Sequence, residues 1–174
     1  MWALARLRTS SGASRTGSSA SVTVWRIASL GHAALDGEGA RLFGSRWTPK
    51  GLPAVFASAT LSLAALERFV HTDPDLEPTD LVAIEIRFRP AIRTESVAIS
   101  DLPSNWREYP APVELTSVGE RWLREGRTVA LSVPSAVVPR ERNVIINPAH
   151  RDFDKLTVAQ PEPFSYDPRM WKTR

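Results

Sequence analysis

The sequence predicts one α+β domain built around a mixed β-sheet, and three observations lead to this fold class. The chain has 174 residues, the length of one domain, and 43% of them are hydrophobic, enough for a core. Seven short segments have the composition of strands, and 14 prolines separate such pieces. The two or three helical segments do not alternate regularly with the strands, which disfavours a doubly wound parallel sheet.

The predicted strands share β-branched or aromatic residues, in the best cases at alternating positions. The clearest is residues 81–88, where Val82, Ile84 and Ile86 fall on one face. The other segments predicted as strands are 22–27, 54–58, 97–99, 129–133, 144–146 and 156–158.

A first helix is predicted directly after the second strand. Ser58 or Thr60 can cap its N-terminus, and the helix then runs to about residue 71. Leu63, Leu66 and Val70 recur at helical spacing, so they form its apolar face.

A second helix is predicted from a capping-box pattern. Ser117 and Glu120 have the required spacing, and the helix continues to about residue 126. The glycine-rich stretch 31–47 is predicted to be mostly loop.

The N-terminus differs in composition from the rest of the chain. Residues 1–20 are rich in Ser, Gly and Arg and contain no carboxylate, so we predict a disordered extension followed by a folded domain over 21–174. The composition of this segment is similar to that of a transit peptide. It is not a secretory signal peptide, because it lacks the apolar stretch that such a signal needs. No apolar run approaches the roughly 18 residues that cross a bilayer, so we expect a soluble, cytoplasmic protein without membrane contact.

Composition also restricts the chemistry. The absence of cysteine excludes disulfides, thiolate catalysis and cysteine-ligated zinc, and the three histidines are widely spaced, so no metal site is expected. The net charge is +3, but the basic residues are scattered. A basic nucleic-acid-binding module is therefore the weaker alternative, and no direct contact with nucleic acid is expected.

Several stretches, taken in order, carry a family resemblance. Trp25 and Arg26 are followed by GSRWTPKG at 44–51, AVFASATLSLAALE at 54–67 and VPSAVVP at 133–139, and the tail adds 143–153 and 163–171. Together they resemble the RES domain family, named for its arginine, glutamate and serine, over about residues 22–171. The resemblance implies a fold related to ADP-ribosyltransferases and diphtheria-toxin-like enzymes, with NAD as substrate.

The resemblance also implies a biological role. It implies the toxin of a toxin–antitoxin pair that cleaves the nicotinamide–ribose bond of NAD, by hydrolysis or phosphorolysis, and arrests growth by depleting NAD. An Xre-like helix-turn-helix antitoxin would block the NAD cleft, and the toxin would form dimers within a larger complex. Transfer of ADP-ribose to a cellular protein stays open as an alternative, as does an inactive relative retained for binding.

Glu67 is the residue to which the resemblance assigns the central catalytic role. Cleavage of the nicotinamide–ribose bond develops positive charge on the sugar, as in glycoside hydrolysis. A carboxylate below the ribose stabilises that charge, and it can also bind the 2′-hydroxyl or orient a nucleophile. Without the resemblance, Glu67 is as well explained by a solvated helical glutamate.

Five further positions complete the predicted site. Arg26 and Arg46 are assigned to the catalytic set as forked clamps for the pyrophosphate or ribose. Phe56 offers an aromatic face to the cationic nicotinamide, at a position where the family usually has tyrosine, and Trp47 helps to shape the pocket. Ser135 is assigned a hydrogen bond to nicotinamide or ribose, the alternative being a turn serine that bonds its own backbone.

Overall fold

One eight-stranded sheet organises the chain in the computed structural model, which describes residues 21–73 and 77–171. The strands are β1 (Val22–Ser29), β2 (Val55–Ser58), β3 (Leu81–Phe88), β4 (Thr94–Ser96), β5 (Ala130–Pro134), β6 (Arg142–Ile146), β7 (Thr157–Val158) and β8 (Glu162–Pro163). The α-helices are α1 (Glu38–Phe43), α2 (Leu61–Phe69) and α3 (Val113–Glu125).

The sheet is mixed, as the sequence predicts. Its order is β4-β5-β6-β2-β1-β3-β7, and β8 also pairs with β3. The β4–β5 pair is parallel, whereas the other registered pairs are antiparallel. The α+β fold class is therefore confirmed.

The two halves of the sheet meet through very little pairing. Strand β1 is registered to β3 at eight residue pairs, from Val22 to Ser29. It is registered to β2 at a single pair, Trp25 with Ser58. Beyond that pair, β1 runs with β3 and β2 runs with β6, so the sheet opens between β1 and β2.

Three apolar clusters pack against this sheet. One covers a face of β1, β3 and β6 and includes the fully buried Ile84 and Ile86. A second lies between the β5–β6 half and α3, around Trp47 and Trp122. The third lies beneath α2, where Tyr166 from the C-terminal segment contacts it. Burial of these apolar surfaces is the main stabilising contribution to the fold.

Helix α1 takes up six residues of the stretch 31–47, which the sequence predicts to be mostly loop, so this short helix was not foreseen. Gly37 has a positive φ of 74° at the N-cap, and Gly44 follows the last helical residue with a φ of 71°. The glycines that indicated a loop therefore occupy the two ends of a short helix. Between them Glu38 and Arg41 form an ion pair across one turn, at 2.7 Å.

Helix α3 begins five residues earlier than its capping-box pattern predicts. Pro112 is the N-cap, and Leu115 in the first turn is fully buried, so packing fixes the start of the helix. Ser117 and Glu120 lie inside the helix and do not cap it. The strand predicted at 97–99 is also displaced, because β4 ends at Ser96 and a 3-10 turn begins at Ile99.

Residues 1–20, predicted to be a disordered extension, lie outside the part of the chain that the structure describes. The last three residues, 172–174, also lie outside it. Within the described ranges, no helix combines the length and the apolar character that a membrane span needs.

Helix α3 packs so closely against the loop after α1 that only glycine fits at position 119 of the helix. A Cβ on Gly119 would lie 2.0 Å from the carbonyl oxygen of Trp47, which is backbone and cannot rotate away. We expect Gly119→Ala to lower the free energy of unfolding by about 2 kcal/mol or more, the cost of overpacking, in urea denaturation.

Gly39 provides the matched control, because it is also helical and a Cβ there meets nothing within 4 Å. Gly39→Ala should leave stability unchanged or raise it by about 0.5 kcal/mol. Equal effects of the two substitutions would contradict the close approach of α3 to the Trp47 carbonyl.

Candidate active site

Helix α2 carries Glu67 and is fixed at its N-terminus by a side-chain cap. The Thr60 hydroxyl accepts a hydrogen bond from the Leu63 backbone N–H at 3.1 Å and donates one to Glu141 Oε2 at 3.0 Å. Thr60 is thus the cap, one of the two predicted candidates. The Glu141 carboxylate also complements the positive end of the helix dipole.

The same helix is held from behind by the C-terminal segment. The Tyr166 hydroxyl donates to the Ala65 carbonyl at 2.7 Å, and its ring packs edge-on against Phe69 at 5.4 Å between centroids. Burial raises the pKa of Tyr166, so its phenol stays protonated as the donor. Helix α2 therefore cannot shift without breaking contacts on two sides.

The Glu67 carboxylate lies half-buried at the end of a hydrogen-bonded chain. Its Oε1 accepts a bond from Ser135 Oγ at 2.7 Å and another from Asn143 Nδ2 at 2.5 Å. The Ser58 hydroxyl in turn donates to Asn143 Oδ1 at 2.7 Å. No hydrogen bond from the described residues reaches Oε2, which leaves that oxygen available to a ligand.

Ser135 occupies a different environment from the one expected of a ligand contact. It is fully buried, and its hydroxyl accepts from the N–H groups of Val137 and Val138 while donating to Glu67. This is the turn serine of the alternative interpretation, with one addition: its proton is directed at Glu67. The structure therefore gives Ser135 the geometry of a residue that orients Glu67.

Arg26 fills the opening between β1 and β2. Its Nη1 donates to the Phe56 carbonyl at 3.2 Å, whereas its Nε is buried without a hydrogen-bond partner. Burial lowers the pKa of the Arg26 guanidinium, and the charge of Asp36 opposes that shift. A buried N–H of a charged group without an acceptor is costly, which favours an anionic ligand at this place.

Arg46 lies on the Glu67 side of the site. Its Nη1 donates to the carbonyls of Trp106 at 2.7 Å and Glu108 at 3.1 Å, so it anchors the loop before α3. Burial lowers the pKa of Arg46, and the nearby Glu67 carboxylate counteracts this. The predicted clamp is therefore close to the predicted catalytic carboxylate, with part of its fork already used.

The two predicted aromatic residues differ in what they can contact. Phe56 is half-buried and lies two positions before Ser58 in β2, about 7 Å along the strand. Trp47 is 4% exposed and packs in the core with Trp106 and Trp122. Its predicted role in shaping the pocket thus reduces to holding the Arg46 loop.

The structure divides the predicted residues into two neighbouring groups. Glu67, Arg46 and Ser135 form one, and Arg26 with Phe56 forms the other, along strand β2. Asn143 belongs to the first group and was missed by sequence reasoning, as was Ser58 as its donor. A polar residue at the start of a strand carries no sequence signal that would have identified it.

A cavity lies away from this site, and the described residues contain no candidate metal site. A cavity of about 380 Å³ is found between Leu123, Gly126 and Asn147, at the opposite end of β5 and β6 from Glu67. Among residues 21–73 and 77–171, no group of three or more His, Asp or Glu side chains is placed to hold a metal ion.

Comparison with known proteins identifies relatives over most of the chain. The family model described as RES domain matches residues 23–167. A protein named Toxin Res from Yersinia enterocolitica is 37% identical over 137 residues, covering 77% of this chain and 88% of that protein. A Sphingobium protein named Prs ADP-ribosylating toxin is 36% identical over 152 residues, covering 84% and 94%.

A solved structure shares the fold. It is the crystal structure of the MbcT–MbcA toxin–antitoxin complex of M. tuberculosis, in which the matching chain has a TM-score of 0.63 and 18% identity. The match covers 84% of this chain and 86% of that chain. At this identity the similarity concerns the fold.

Ser135 should be required for stability because its hydroxyl serves three partners. We expect Ser135→Ala to lower the free energy of unfolding by about 1–3 kcal/mol, since two backbone N–H groups lose their acceptor and Glu67 loses a donor. Chemical denaturation measures the effect. Ser100→Ala, at an exposed position, should stay within about 0.5 kcal/mol of the unmutated protein. Matching losses in both variants would refute the assigned contacts.

Proposed function

The chain belongs to the RES domain family, and from that premise we propose that it is the toxin of a toxin–antitoxin pair that cleaves the nicotinamide–ribose bond of NAD. One observation carries the proposal most directly. Glu67 is held by two donors on Oε1 with Oε2 left for a ligand, and Arg26 on strand β1 has a buried Nε without a hydrogen-bond partner. Such a pair suits a substrate that is anionic at one end and develops positive charge at the other.

NAD matches the residues of both groups. A pyrophosphate oxygen would give the buried Nε of Arg26 the acceptor it lacks, with the permanent charge and forked shape that arginine provides. Arg26 binds the backbone carbonyl of Phe56. The Phe56 ring would stack on the flat cationic nicotinamide, because an aromatic face binds such a cation well. Arg46 stands by Glu67 and would contact the ribose or phosphate.

Glu67 contributes to the reaction by electrostatics and positioning. The bond between ribose C1′ and the nicotinamide nitrogen breaks, and its electron pair goes to that nitrogen and neutralises the ring. Positive charge develops on the ribose, which the carboxylate stabilises. An acceptor oxygen then forms the new bond to C1′ and loses its proton, so the sum is NAD plus acceptor giving nicotinamide, an ADP-ribosyl product and H⁺.

Water and phosphate are the acceptors that we propose first, because they account for growth arrest through loss of cellular NAD. Protein is the second candidate, and the name of the Sphingobium relative, an ADP-ribosylating toxin, favours it. The residues that hold NAD serve all three acceptors. We place the activity in the cytoplasm, where NAD is available.

The partner that we propose is an antitoxin that covers this site. A protein with the same fold was crystallised in a toxin–antitoxin complex, which supports such a partner here. We further propose an Xre-like helix-turn-helix antitoxin and a toxin dimer, in line with the family resemblance. Any DNA binding would then reside in the antitoxin and not in this chain.

Glu67→Gln tests the catalytic carboxylate. It keeps the shape and the acceptor oxygen but removes the charge, so we expect nicotinamide release from NAD to fall by about 100-fold or more. Glu120→Gln is the control, because that helical glutamate pairs with Arg124 at the surface of α3. Chromatography of nicotinamide from antitoxin-free protein provides the measurement.

Three reaction mixtures separate the acceptors: buffer alone, buffer with inorganic phosphate, and a bacterial lysate with labelled NAD. Nicotinamide release without a labelled protein band supports hydrolysis or phosphorolysis, and the phosphate dependence distinguishes the two. A labelled band supports protein ADP-ribosylation. No nicotinamide in any mixture would overturn the proposed reaction.

Arg26→Lys tests the clamp. Lysine keeps the positive charge but cannot reproduce the fork, so we expect the KM for NAD to rise by about tenfold or more. Arg87→Lys, in the adjacent strand β3, replaces an arginine that is paired with Glu85 at the surface and should leave KM unchanged. An unchanged KM in Arg26→Lys would exclude Arg26 from substrate binding.

A further inference from the structure

We propose that Ser58 and Asn143 form a relay that determines which carboxylate oxygen of Glu67 faces the substrate. The inference rests on the proposed function, since it assumes that Glu67 acts on the ribose. It adds two positioning residues, and it assigns Oε2 as the oxygen that meets the ribose and Oε1 as the oxygen that the protein holds.

The relay has one direction that follows from donor and acceptor chemistry. An ionised carboxylate can only accept, so the group of Asn143 that faces Glu67 must be its NH₂. The Asn143 carbonyl oxygen then faces Ser58, which has to donate its proton to it. Replacing Ser58 therefore removes the donor to the carbonyl end of the Asn143 amide and leaves the bond from its NH₂ to Glu67.

Both donors bind the same carboxylate oxygen. Ser135 and Asn143 each donate to Oε1 of Glu67. The terminal torsion of a glutamate has a broad, roughly two-fold energy profile, so packing alone does not fix the rotation of its carboxylate. Two donors converging on Oε1 fix that rotation, and Oε2 is left without a donor from the described residues.

The relay lies on paired strands of the sheet. Ser58 and Asn143 are a registered pair of strands β2 and β6, and Ser58 is also the residue of β2 that is registered to β1, through Trp25. The three residues form one row across the sheet, at the point where its halves meet. A site supported by strands holds its geometry more closely than one supported by loops.

A purely structural role for the pair makes a different prediction. If Ser58 and Asn143 only satisfied each other as buried polar groups, their removal would lower stability and leave the turnover of folded protein unchanged. If they position Glu67, their removal lowers kcat while NAD still binds, so KM stays near its original value.

The test is a double-mutant cycle on the full chain, with nicotinamide release from NAD as the readout. We expect Ser58→Ala to lower kcat by about fivefold and Asn143→Ala by about 50-fold, with KM within twofold in both, because a small misplacement of a catalytic group costs up to about 100-fold. The double variant should match Asn143→Ala alone, because the hydroxyl acts only through the amide. Multiplying effects, or a rise in KM with unchanged kcat, would overturn the relay.

Two further variants distinguish a loss of kcat caused by misplacing Glu67 from a loss caused by misfolding. Ser132→Ala removes a half-buried hydroxyl of strand β5 that binds Arg142 and has no contact with Glu67, so its kcat should be unchanged. Asn143→Asp keeps the shape but places a carboxylate oxygen against Oε1, and it should lose at least as much kcat as Asn143→Ala. Full activity in folded Asn143→Asp would contradict the proposal.

Failure of the proposed function has a separate outcome. If the unmutated protein releases no nicotinamide, the reaction is wrong, and the relay is then judged by growth arrest on expression without antitoxin. The relay stands if arrest weakens in the order Ser58→Ala, then Asn143→Ala, with the double variant equal to the latter. It falls if arrest is equal in all of them or absent from the unmutated protein.

Discussion

The candidate site depends on the carboxylate of Glu67 and the two donors that bind its Oε1. This one oxygen connects helix α2 to the turn after β5 and to the first residues of β6, because Ser135 and Asn143 come from those two places. A carboxylate that loses part of its hydration on folding is stabilised where donors replace the lost water. The bonds that stabilise the half-buried Glu67 carboxylate also give it one orientation.

The opening of the sheet between β1 and β2 supplies the second half of the site. Strands that diverge after one registered pair leave backbone carbonyls without a partner in the sheet, and Arg26 binds the one on Phe56. Arg26 is thereby a structural bridge that retains an unsatisfied Nε. The incomplete sheet thus leaves the Nε of a half-buried arginine without a hydrogen-bond partner, which is the basis for proposing an anionic ligand there.

The sequence was informative where side-chain periodicity decides the structure and uninformative where contacts between distant residues decide it. Alternating apolar residues identified β3, and the two cap candidates Ser58 and Thr60 located the start of α2, where Thr60 is the cap. Helix α1 was missed because glycine is common both in loops and at the ends of helices. The start of α3 was misplaced because the burial of Leu115 outweighs a local capping pattern. The resemblance named Glu67 and Ser135, but only the fold shows that one holds the other, and it adds Asn143, which no local pattern singles out.

The contacts that hold helix α2 also set the order in which the site can be assembled during synthesis. Glu67 is made 68 residues before Ser135 and 76 before Asn143, and Ala65 precedes its partner Tyr166 by 101. Domains acquire such long-range contacts only once the later segments have left the ribosome. In a chain still being translated, helix α2 therefore lacks these contacts, and a protein that could harm its own host has a complete site only after Tyr166 has emerged.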